Sequence, residues 1–101
     1  MSFISTRGGS YVTASQAILR GLAEDGGLYV PAMFPQMSRD VLHDFVSMSY
    51  TQRASQVLRT YLEDFTVEEI DRAVAKAYAP EKFDDPAIAP LKKLNDNTWV
   101  L

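Results

Sequence analysis

The side chains of this sequence with reactivity for acid–base, nucleophilic or metal chemistry are few: one histidine, four lysines and one concentration of carboxylates. A general base needs a partner within hydrogen-bond reach. His43 has only Asp44 beside it and no serine or cysteine motif to serve, so it reads as a helix-face position. Glu63, Asp64, Glu68, Glu69 and Asp71 could suggest a metal site or an acid/base pair. Glu68 and Glu69, however, fall in the first turn of a predicted helix, where negative charge complements the macrodipole, and the cluster reads as solvated. A lysine that attacks a carbonyl must first be desolvated. Lys76 falls on a helix, Lys82 in an Asp/Pro-rich linker, and Lys92 and Lys93 in a strand, so none fits that role. The absence of cysteine excludes a thiolate nucleophile, a disulfide framework and a zinc site of Cys/His composition. Gly8-Gly9-Ser10 and Asp25-Gly26-Gly27 are glycine turns without the spacing of a Rossmann or P-loop phosphate cradle.

The elements around these residues describe one domain. The chain has 101 residues, 47% apolar and 23% charged, the balance of an ordinary packed protein. Its net charge of -3 offers no field to draw nucleic acid or an anionic membrane surface. No targeting segment or membrane-length apolar run is visible, and a reducing, cytoplasmic setting is expected. Phe3 to Thr6 predicts a strand closed by a turn at Arg7-Gly8-Gly9. Thr13 and Gln16 have capping-box spacing, so a helix should start at Ala14. Its stripe of Ala14, Ala17, Ile18 and Leu22 should face inward, with Gly26-Gly27 ending it and Gly21 accommodating a close contact. Leu28-Tyr29-Val30 predicts a short buried strand, followed by an extended loop from Pro31 to Pro35.

Ser38 should cap a helix over Arg39 to Phe45, a second helix should span Thr51 to Glu63, and Thr66 with Glu69 should cap a third that runs toward Pro80. Ala79 to Pro90 reads as a linker. Leu91 to Leu94 and Thr98 to Leu101 flank Asn95-Asp96-Asn97 and predict a hairpin. The last strand stops on Trp99-Val100-Leu101 without a polar cap, from which the chain is expected to be part of a longer one. The fold class is thus α/β (α+β), mostly helical, with a few short strands.

Ser5-Thr6-Arg7-Gly8, then Ala17-Ile18-Leu19 with Gly21-Leu22-Ala23, then Asp25-Gly26-Gly27-Leu28-Tyr29-Val30-Pro31, occur in an order and spacing that resemble the N-terminal domain of threonine synthase. The resemblance extends through the Pro35 loop, the two helices around Val57 and Val74, and the approach from Ala87 to Leu94. It implies a domain over residues 1–90, with 91–101 starting the connection into a catalytic domain outside this sequence.

The resemblance further implies a pyridoxal 5'-phosphate enzyme of fold type II that converts O-phospho-L-homoserine and water into L-threonine and phosphate. In that family the cofactor lysine lies in an H-G-P-T-x-x-F-K-D segment, which this sequence lacks. No catalytic, cofactor-binding or metal-binding residue is therefore assigned here, and the 101 residues alone are expected to bind no cofactor and to be inactive. Thr6, Arg7, Gly8, Asp25, Gly26, Gly27, Tyr29 and Pro31 are the motif positions with a structural role or a place at the active-site edge. For Arg7 the structural reading is pairing with an acid that fastens the first strand. Asp25 with its two glycines reads as a helix-ending turn, and Tyr29 as a core aromatic with a satisfied hydroxyl. Two alternatives stand beside this one: a stand-alone helical interaction module, and the equivalent domain of a threonine-synthase-like phospho-lyase.

Overall fold

Three of the four helices begin at a side chain that takes over an unpaired amide and receives one in return. In a computed structural model covering Met1 to Leu101, Thr13 and Gln16 form this reciprocal box at α1 (Ala14–Arg20). Thr66 and Glu69 form it at α4 (Val67–Ala77), and Ser49 and Gln52 at α3 (Tyr50–Tyr61). The last box moves the start of α3 to one residue before the predicted Thr51. Ser38 caps α2 (Arg39–Asp44), its hydroxyl accepting from the Val41 amide.

The strands are short. β1 (Phe3–Ser5) lies between β2 (Gly8–Val12) and β3 (Tyr29–Pro31), antiparallel to both. Gly8-Gly9 was expected to close the first strand; instead Thr6-Arg7 make the turn and the glycines open β2. Both glycines have positive φ, a conformation that suits the irregular register between β1 and β2. β4 (Lys92–Asn95) and β5 (Thr98–Val100) form the expected hairpin around Asp96-Asn97, as a separate two-stranded sheet.

α1 departs most from its sequence pattern. It ends at Arg20, not at Gly26-Gly27, because Gly21 takes φ 71° as the capping residue and its amide closes onto the Ala17 carbonyl. No heavy atom would meet a Cβ at Gly21, so its reason is backbone conformation and not a close contact. The predicted inward stripe is divided: Ala14 and Ala17 are buried, whereas Ile18 and Leu22 are each 62% exposed. β3 is likewise an edge strand and not a buried one, with Leu28 exposed and Tyr29 half-buried.

The helical pair supplies the other part of the core. α4 packs on α3 and turns Ile70 and Val74 inward, with Ser55 of α3 buried nearby. A single turn of 3-10 helix at Pro80–Lys82 starts the return segment. Phe83 stacks on Tyr78 at 6.1 Å between ring centroids, and Tyr78 meets Tyr50 edge-on at 5.0 Å.

Only nine residues are buried. The accessible surface is 7771 Å² against about 5,700 Å² for a compact monomer of this mass. The radius of gyration is 16.2 Å where about 13 Å is expected. These 101 residues therefore expose more surface than a compact domain of this size would.

Candidate functional site

The motif residues converge at the turn that follows β1. Ser5, on β1 opposite Tyr29 and Gly8, is buried and donates its hydroxyl to Oδ1 of Asp25 at 2.7 Å. The same Oδ1 accepts from the amide of Gly27 at 2.9 Å, an aspartate closing its own turn two residues on. The Ser5 hydroxyl in turn accepts from the Arg7 amide at 3.1 Å. Thr6 extends the ladder past β3: its amide donates to the Leu28 carbonyl at 2.9 Å and its hydroxyl accepts from the Leu28 amide at 3.1 Å.

Gly27 lies at the centre of this clasp. A Cβ on it would fall 2.1 Å from the Ser5 hydroxyl oxygen and 3.0 Å from both the Asp25 carboxylate and the Thr6 hydroxyl. Three polar side chains thus occupy the space a side chain would need. Gly26, at φ 78°, turns the backbone beneath the Arg7 guanidinium. Arg7 donates from Nη1 to the main-chain carbonyl of Asp25 at 2.8 Å and makes no ion pair with its carboxylate.

Hydrogen bonds govern the charge here. The Ser5 hydroxyl, then the Gly27 amide, hold the Asp25 carboxyl below its ordinary range, and the nearby Arg7 charge acts in the same direction. Asp25 thus serves here as the acceptor that joins the end of β1 to the 25–28 turn. Tyr29 is half-buried, and its hydroxyl accepts from Arg20 Nη1 at 3.4 Å, which raises the Arg20 pKa. Ser5, Gly8, Arg20, Asp25 and Tyr29 border a polar recess of about 280 Å³. Pro31 stands apart at the far end of β3, opposite Phe3, on an edge strand where a missing amide is tolerated. Ser5 is the residue that sequence reasoning passed over; the available signal was a small hydroxyl at the end of an otherwise apolar strand.

The acidic residues of the cluster are exposed, and all but Glu68 are engaged. Asp64 accepts from the Ser15 amide at 2.9 Å, tying the loop after α3 to the start of α1, and Ser15 lowers its pKa. Thr66 does the same for Glu69 through the capping box. Asp71 takes both oxygens to Nη2 of Arg59 at 2.7 Å, and Arg59, then Ser55, lower its pKa. No three of the chain's His, Asp and Glu side chains converge into a metal-binding group. His43 sits exposed on α2.

The comparisons with known proteins decide the family. The model for the threonine synthase N terminus matches residues 2–78. The chain belongs to the threonine synthase family. It is 38% identical to threonine synthase of Corynebacterium glutamicum over 99% of its own length and 22% of that protein's. Threonine synthase-like 1 of Homo sapiens is 34% identical over 86% of this chain and 12% of its own. Among solved structures, the PLP-bound threonine synthase of Brucella melitensis superposes with a TM-score of 0.85 at 33% identity, covering 99% of this chain and 22% of that one. The chain thus spans about a fifth of the length of the threonine synthases it matches, and the family model it fits is that of their N terminus.

The four lysines do not fit a role as the covalent anchor of the cofactor of that Brucella enzyme. A lysine that condenses with an aldehyde must be neutral and desolvated. All four lysines are exposed; Lys82 donates to the Lys76 carbonyl at 2.6 Å, and Lys93 pairs with Asp96 at 3.4 Å. No helix is long and apolar enough to cross a membrane.

Proposed function

We infer that this chain is the N-terminal, non-catalytic part of an enzyme that, with pyridoxal 5'-phosphate held elsewhere, converts O-phospho-L-homoserine and water into L-threonine and inorganic phosphate in the cytoplasm. Residues 1–90 form the domain and 91–101 lead into the catalytic part. Neither nucleic acid nor membrane is a partner; the partner is the catalytic part of the same polypeptide. The family match supports this reading, and so does the surface excess described above, which suits a segment completed by another body of protein.

Within it, Thr6, Arg7, Gly8, Asp25, Gly26, Gly27 and Tyr29 hold the β1 end and the 25–28 turn in register, and Pro31 ends the β3 edge. Their contribution to catalysis is the shape of the surface they present. A stand-alone interaction module fits less well, because Trp99 stays 52% exposed, with the Lys93 ammonium 5.8 Å from its ring centre.

The test is an assay of the full-length enzyme containing this chain, supplied with O-phospho-L-homoserine and pyridoxal 5'-phosphate. Release of phosphate with equal formation of threonine is expected. Absence of phosphate release sinks the reading. Phosphate without threonine selects the phospho-lyase alternative.

A further inference from the structure

α1 carries an apolar stripe that the 101 residues do not cover. Ala14 and Ala17 are buried, yet Ile18 and Leu22, on the same stripe, remain 62% exposed, and Leu28, bridged to Leu22 through the backbone, is 60% exposed. Amphipathic helices turn such a stripe toward a core, and here half of it opens into a groove. Phe3, Ala14, Ala17, Ile18, Leu28 and Leu62 line about 420 Å³ of it. Gly21 and Tyr29 complete the wall, and no charged side chain lines it.

We propose that this groove, between α1, the β1–β3 edge and the end of α3, is the seat for an uncharged apolar face of the catalytic part of the same polypeptide. The proposal rests on the threonine synthase reading and names the surface through which the two parts join. Three observations select that occupant. The threonine synthases it matches are more than four times as long as this chain, so the covering mass belongs to the family's own polypeptide. The accessible surface exceeds that of a compact monomer by about 2,000 Å², more than the roughly 800 Å² per partner of a standard interface, and suits a permanent contact. The lining lacks the charged rim that would steer a diffusing partner, whereas a tethered segment needs no steering.

The chain has no cysteine, so a single thiol here reports on one place. In the full-length enzyme bearing Ile18→Cys, a lining position that is 62% exposed here, the alkylation rate by iodoacetamide is followed at that peptide by mass spectrometry, native and in urea. Labelling about tenfold or more slower in the native enzyme is expected, because a covered thiol reacts only on opening. Native labelling within about twofold of the unfolded rate, as for a half-exposed thiol, overturns the proposal. Protection that grows with protein concentration overturns it as well, since the cover would then be a second copy. Leu28→Cys, on the opposite lip, gives the same readout should the first variant fold poorly. Phosphate release from the same samples separates the two readings. An active enzyme with an unprotected thiol refutes the groove alone, while a protected thiol without activity upholds the groove and refutes the assigned reaction.

Discussion

The β1 clasp and the α3–α4 pair lie in the same small fold and are held by opposite means. Around Gly27, Ser5, Thr6, Arg7 and Asp25 exchange hydrogen bonds at 2.7 to 3.1 Å. Between α3 and α4, Ile70 and Val74 are 4% and 2% exposed, and the polar contacts, such as Arg59 to Asp71, lie outside. Apolar packing is non-directional and scales with area. A clasp of hydrogen bonds depends on angle and distance, because net gain per bond is small and a misplaced partner leaves a polar group unpaired. Removing atoms should therefore harm the helical pair most, and adding atoms should harm the clasp most.

The largest effect is expected from Ile70→Ala. Loss of the buried side chain and the residual cavity should cost about 3 kcal/mol in a urea titration with unchanged slope. A cost below about 1 kcal/mol would mean that α3 and α4 are not held by packing.

Gly27→Ala, the addition of one methyl group, should cost about 2 kcal/mol, since the new Cβ displaces the Ser5 hydroxyl. Its signature is regional: faster amide exchange at Arg7 and Leu28, with the amides of α4 unaffected. A neutral Gly27→Ala would break the contrast between the two regions.

The smallest effect at neutral pH belongs to Asp25→Asn, and it sharpens the contrast through acid titration. The folded Asp25 carboxyl titrates below its unfolded value of about 3.9, so its contribution is complete above that pH and is lost as pH falls through the lower folded value. The Asn variant should be less stable than the native protein at pH 7, where that contribution is complete, and should show a shallower loss of stability below about pH 4. Asp71→Asn should flatten the same limb by acting in the helical pair, because Arg59 lowers that carboxyl too. If Asp25→Asn leaves the acid limb unchanged, the Ser5 and Gly27 hydrogen bonds do not favour the ionised carboxylate as described.

Much of the fold was legible because its signals are local. Capping boxes at Thr13 and Thr66 place two helix starts to the residue, and Asp96-Asn97 between β-rich runs places the hairpin. What misled was also local. Gly21, inside an apolar period, looks like a tolerated residue, but its left-handed φ ends α1 a turn early. Gly8-Gly9 looks like a stop and opens a strand.

From the sequence by itself came the family resemblance, the order of the helices and the hairpin, since motif order, capping and turn chemistry all reside in residue types and short spacings. The tertiary structure alone decided that Ser5 and Asp25, twenty positions apart, share a proton donor and acceptor around a glycine that has no room for a side chain. It also decided that Ile18 and Leu22 look outward. Periodicity determines that a helix has an apolar face; which body covers that face depends on what else is near in space.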